Sequence, residues 1–211
     1  MKIKSLRLVN FKQFTDFSIP CKAMSVLTGP NNAGKSSILD ALRVCKDVLR
    51  FAARRNPEAA SQPGNGVCAT YRLDDSSINI NLKNVVRDYG EEDAEIILKI
   101  ENGNSLTIRL HSEKRTVAFL QSLGRIPRSP TQFVSAFPLK IVVVPTLSFF
   151  EANENWVTEE TVRKNEGTRL SSRNFRNIWL RKTSMELDEF NTLIKRAWPE
   201  VSMQAPEFHA A

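Results

Sequence analysis

Charged and apolar side chains alternate over Met1–Arg7, and Ile3, Leu6 and Leu8 mark a first strand. Phe14, Phe17 and Ile19 fall in a second short strand closed by Pro20, and Met24–Thr28 reads as a third, short and buried. The period then changes. Ile38, Leu42, Cys45, Leu49 and Ala52 recur every three or four residues, which predicts a helix to about Ala53, with Arg43, Lys46, Asp47 and Arg50 on its wet side. Asn56-Pro57 and Gln62-Pro63-Gly64-Asn65-Gly66 predict an exposed connection. A strand-rich block follows over about 67–120. Ala94–Ile100 and Ser105–Leu110 flank Glu101-Asn102-Gly103-Asn104, a hairpin signal because Asn-Gly tolerates positive φ, and Thr116–Leu120 adds another strand. The run Lys140-Ile141-Val142-Val143-Val144 predicts a strand buried on both faces, ended by Pro145.

Beyond Trp156 the pattern is helical. The predicted segments are Thr158–Asn165, then Ser171–Lys182 with Ser171 or Ser172 as N-cap, then Met185–Trp198 stopped by Pro199. Val201–Met203 reads as the opening of a further strand, and the chain is expected to stop mid-domain. The domain reading is therefore 1–150 for an α/β lobe, 151–200 for a helical segment, and 201–211 for the start of another element.

Between the third strand and the long helix lies Gly29-Pro30-Asn31-Asn32-Ala33-Gly34-Lys35-Ser36-Ser37, which fits G-x-x-x-x-G-K-[ST]. Residue type explains why such a loop holds phosphate. Gly29 and Gly34 permit backbone angles and close approaches that a Cβ would block. Successive N–H groups of Asn31, Asn32, Ala33, Gly34, Lys35, Ser36 and Ser37 then form an anion nest, and the helix adds its positive dipole end. Lys35 is expected at the β- and γ-phosphates of ATP, and the Ser36 hydroxyl on Mg²⁺. A chance match is set aside, because four fixed positions sit between strand and helix. A true fold with an inactive site stays open.

Composition adds bounds. Hydrophobic residues make up 41% and charged residues 25% of 211, the balance of an ordinary globular domain. No stretch is apolar enough for a membrane span or a secretory signal, so no membrane partner is expected. Cys21, Cys45 and Cys68 are odd in number and widely spaced, which suggests reduced thiols and a cytoplasmic protein without a zinc pair or disulfide framework. The net charge of +7 is compatible with nucleic acid.

Ile3–Phe14, the strand pair, Leu27–Ser37 and Ile38–Leu42 together resemble the opening of RecF/SMC/OLD-type ATPases, and most of all the AAA-type ATPases that open OLD-family nucleases and related antiviral defence proteins. Val142-Val143-Val144-Pro145 followed by Glu151 and Glu154, and Ser172-Arg173-Asn174-Phe175-Arg176-Asn177, are similar to weaker patterns of the same group. The resemblance implies a P-loop NTPase fold, an ABC-ATPase-like N-terminal lobe with a β-rich insertion. It also implies that Lys12, after the Asn-Phe pair, lies beside the nucleotide; otherwise Lys12 is a solvated residue at a strand end. The family's Mg²⁺-assisting glutamine has Gln121 and Gln132 as candidates, neither directly after Lys140–Val144.

Such ATPases also need an apolar strand ending in Asp-Glu, a Ser-Gly signature and a late His. Asp74-Asp75 follows Tyr71-Arg72-Leu73, which does not read as an apolar strand, Glu91-Glu92-Asp93 follows a turn, and His111 and His209 lack context. The catalytic residues therefore stay unknown. The first reading is an ATP-binding lobe that dimerises through ATP-bound heads and acts with DNA in phage defence or repair, without hydrolysis by this chain alone. The second is a non-hydrolysing ATP-sensing module that regulates or scaffolds a partner or fused nuclease. A small-molecule kinase is disfavoured, since no acceptor lid is evident. Arg163, Lys164, Arg169, Arg173, Arg176, Arg181 and Lys182 stand against Glu166 alone, and read as a nucleic-acid contact, a face for acidic partner residues, or a solvated surface. Phe175, Ile178, Trp179 and Trp198 read as core.

Overall fold

The computed structural model describes residues 1–62, 66–78, 80–87, 90, 92–111, 115–144, 153–165 and 170–207. Two compact units divide at Val143/Val144. The first is built on one antiparallel sheet. Its strands are β1 (Ile3–Phe11), β2 (Phe14–Pro20), β3 (Glu58–Gln62), β4 (Gly66–Leu73), β5 (Ala94–Ile100), β6 (Ser105–Leu110) and β7 (Thr116–Gln121), in the order β2-β1-β5-β6-β7-β4-β3. The helices of this unit are α1 (Lys35–Ala52) and α2 (Pro130–Ala136).

Register explains the core. Leu8 faces Ile96, which faces Ile108, then Ala118, then Tyr71. A second row runs Leu6, Leu98, Leu106, Leu120, Ala69. Because side chains alternate along a strand, both rows lie on one face, and they join one apolar cluster with Ile38, Ala41, Val44, Cys45, Val48 and Leu49 of α1. The other face carries ion pairs, Arg7–Asp16 at 2.6 Å and Arg109–Glu95 at 2.6 Å, with Arg109 also over the Phe119 ring. Burial pushes the Tyr71 phenol and the Cys45 thiol each up to about 12. The Tyr71 hydroxyl has no partner among the described residues, and its ring meets Phe133 edge-on at 5.5 Å. None of the three cysteines is in a disulfide.

Several sequence expectations fail, each for a physical reason. Met24–Thr28 forms no strand. Nothing described pairs with it, and Met24 and Val26 are exposed. The same holds for Lys140–Val144: it is not a strand buried on both faces, since only Val143 is buried there while Val142 and Val144 are exposed. Composition alone does not satisfy backbone N–H and C=O groups, which need a neighbouring strand. Pro145 lies outside the described residues. The expected connection after Pro57 instead contains β3, paired with β4 from Glu58↔Thr70 to Gln62↔Gly66. Tyr71-Arg72-Leu73 does end a strand, with Tyr71 and Leu73 buried, and Asp74 beyond it pairs with Arg115 at 3.4 Å. Asp47 is buried rather than wet, held by Arg50.

The second unit contains α3 (Glu159–Asn165), a 3-10 turn (Ser171–Asn174), α4 (Phe175–Trp179) and α5 (Ser184–Ala197). The predicted Ser171–Lys182 helix is thus broken in two, and neither Ser171 nor Ser172 caps it; Leu170 precedes the 3-10 turn without a side-chain cap. Val201–Met203 is not a strand; Met203 is tied by both backbone groups to the Asn191 amide. Trp179 packs at 4.5 Å on Phe190, whereas Trp198 is 65% exposed and not core. Buried Asn177 binds Glu154 Oε1 through its backbone N–H (2.8 Å) and its amide (2.7 Å), so this unit brings together residues of the two weaker family patterns. Glu151, Glu166, Arg169 and His209 lie outside the described residues.

Candidate nucleotide-binding site

The loop between residues 28 and 35 has the backbone that its glycines predict. Gly29 has φ 145°, Asn32 67° and Gly34 88°, left-handed or glycine-type angles of the kind from which anion nests are built. The Ala33 N–H donates to the Pro30 carbonyl at 3.3 Å, and a Cβ on Gly29 would approach Ala33 to 3.2 Å. Gly34 is the N-cap of α1 and has no side chain with which to cap it. The first-turn N–H groups of that helix are therefore left for a ligand. No acidic side chain lies in the first turn to compete for them.

Three side chains complete the loop. Lys35 folds back, its ammonium donating to the Gly29 carbonyl at 2.7 Å and the Pro30 carbonyl at 2.6 Å. Ser36 is exposed, and no partner for its hydroxyl occurs among the described residues. Ser37 is buried and its hydroxyl donates to Gln13 Oε1 at 2.8 Å. Asn31, Asn32 and Ala33 form the exposed crest. The arrangement fits a phosphate chain with Mg²⁺. The donors are backbone N–H groups and an ammonium, and Ser36 supplies one hard oxygen, while Mg²⁺ commonly takes its other ligands from phosphate and water. No group of three or more His, Cys, Asp or Glu able to hold a metal occurs among the described residues.

Lys12 sits in the two-residue turn between β1 and β2 at φ 53°, and its backbone N–H donates to the Val85 carbonyl at 2.7 Å. Its ammonium lies 2.5 Å from Asp40 Oδ2 on α1, and Arg43 takes Asp40 Oδ1 at 2.6 Å. The turn is thereby fastened to the helix that leaves the phosphate loop. Sequence reasoning missed Asp40, Gln13 and Phe14. The Asn10-Phe11-Lys12-Gln13-Phe14 stretch reads only as the end of one strand and the start of the next, because a left-handed lysine carries no local signal. Neither Gln121 nor Gln132 is hydrogen-bonded to the described loop: Gln121 accepts from Ser105 and Gln132 from the Arg128 N–H. In the basic segment, Arg163 pairs with Glu159, Lys182 with Glu186, and Arg181 binds the carbonyls of Asn177 and Val157.

Residues 1–122 match the family model described as an AAA ATPase domain. The chain is also 26% identical over 128 residues to the DNA replication and repair protein RecF of Chlorobium limicola. That match covers 60% of this chain and 31% of the relative, so the chain spans about a third of the relative's length. The family match extends over more than half of the sequence, and the chain belongs to the AAA ATPase domain family, an ATP-binding family.

Proposed function

We propose that this AAA ATPase domain is the ATP-binding lobe of a RecF/OLD-like, ABC-class ATPase that acts with DNA in phage defence or repair. The observation that carries the reading is the loop itself. Positive φ at Gly29, Asn32 and Gly34 builds the nest, the uncapped start of α1 faces it, and Lys35 and Ser36 stand at its mouth. A triphosphate entering the nest offers Lys35 stronger acceptors than two neutral carbonyls, because hydrogen bonds to charged oxygens are roughly twice as strong. Ser36 is the residue that would hold Mg²⁺, which neutralises phosphate charge when bound. Similarity to a DNA replication and repair protein and the net charge of +7 support a DNA-linked role. Two ATP-loaded heads closing on each other in the cytoplasm complete the proposal.

Phosphoryl transfer needs an oriented water as well as a phosphate cradle. Among the described residues, no Asp or Glu is hydrogen-bonded to residues 29–37. The proposal is therefore binding without turnover by this chain alone. In calorimetry the chain should bind ATP·Mg²⁺, and Lys35→Ala should weaken binding at least tenfold. Phosphate release should stay at background for both proteins. Sustained turnover that depends on Lys35 would sink the claim of incompetence, and failure of the parent chain to bind would sink the nucleotide reading.

A further inference from the structure

The turn that follows β1 carries two polar side chains, and they behave differently. Lys12 is engaged by Asp40, itself shared with Arg43. Gln13 is not fully engaged. Its Oε1 accepts from Ser37, which fixes the amide plane and leaves Nε2 as the opposite arm. Nε2 has no partner among the described residues, and it lies against Gly34: a Cβ there would fall 2.2 Å from it. Phe14 closes the same spot, its Cζ 2.4 Å from that position. Stacking of Phe14 on Phe17 at 4.6 Å and the Lys12–Val85 backbone bond hold the turn. An amide donor is thus preoriented over the residue between the loop crest and Lys35, at low entropic cost on binding.

We infer that Gln13 is a nucleotide-contacting residue: its Nε2–H donates to the phosphate chain of ATP seated in the loop, while its Oε1 holds Ser37. This deepens the nucleotide reading above and rests on it. Two roles of one amide can be separated by exchanging its ends. Gln13→Lys keeps a donor but cannot accept from Ser37. Gln13→Glu keeps the acceptor and offers no donor, and Gln13→Met keeps only bulk. Calorimetry with ATP·Mg²⁺ should give about a tenfold loss for Gln13→Met and at least that for Gln13→Glu, the size expected for a hydrogen bond to a charged oxygen. Gln13→Lys should stay within about threefold of the parent, and nucleotide-free melting temperatures should confirm that each variant folds. Parent-like affinity in Gln13→Met, or retention in Gln13→Glu with loss in Gln13→Lys, would overturn the donor role. If the parent itself binds no ATP, the nucleotide reading fails first; binding that is lost in Lys35→Ala yet indifferent to Gln13 defeats this inference alone.

Discussion

At the scale of single residues, Gly34 concentrates the constraints on the site. Its φ of 88° is unfavourable for any L side chain, at about 1–2 kcal/mol, and the space a Cβ needs is held by Gln13 and Phe14. The Gln13 side chain moves only by giving up its bond from Ser37, and the Phe14 ring, stacked on Phe17, has less freedom still. Gly34→Ala should therefore lower stability by roughly 1–3 kcal/mol in denaturant titration. It should also weaken ATP binding by more than tenfold, because the first turn of α1 would shift. A variant that folds normally and binds ATP like the parent would show that the turn yields easily and that Gln13 is not held in place. The motif made Gly34 legible in advance. The clash partners were not legible, since they come from a turn some twenty residues earlier that only the tertiary fold brings over the loop.

At the scale of elements, what was readable depended on whether an element carries its own stop and start signals. The β5–β6 hairpin has Asn102-Gly103 at its tip, with Gly103 at φ 85°, alternating buried positions along β5, and a β6 buried everywhere but at Arg109. The α5 helix opens on Thr183 with Glu186 three residues later, a full capping box in which each side chain satisfies the other's backbone N–H. Met24–Thr28 and Lys140–Val144 have the composition of strands but lack pairing partners among the described residues, and β3, with Ala59-Ala60-Ser61, has a partner but not the composition. Pairing is a non-local property, so windowed reasoning fails in both directions. The capping box also gives a pH prediction. Hydrogen bonds from Lys182 and from the Thr183 backbone hold the Glu186 carboxyl down to about 2, from an ordinary 4.5. A depressed folded-state value stabilises above the unfolded value and is lost as pH falls through the folded one. The start of α5 should thus loosen between about pH 4.5 and 2, and Glu186→Gln should remove most of that dependence. Carboxyl chemical shifts followed through the acid range would test it; a Glu186 midpoint near 4.5 would contradict the box.

At the scale of the whole chain, the sheet's apolar rows are covered, yet two apolar segments are not. Met24 is 82%, Val26 72%, Val142 70% and Val144 75% exposed, in irregular stretches that pair with no described strand. Exposed apolar side chains beside unpaired backbone are the combination that recruits another chain, because both terms improve on association. Native edges are usually blunted by lysine or proline at such positions. The isolated chain without nucleotide should therefore self-associate at micromolar to millimolar concentration, seen in sedimentation as a mass rising above 23.9 kDa. Replacing Met24, Val26 and Val142 with lysine should suppress this while leaving the helical and sheet content unchanged, since none of the three is buried in the core. A parent chain that stays monomeric through that range would mean these apolar segments are shielded in solution. Association that persists in the triple variant would move the contact to the sheet edges β2 and β3, where edge pairing alone has to supply it.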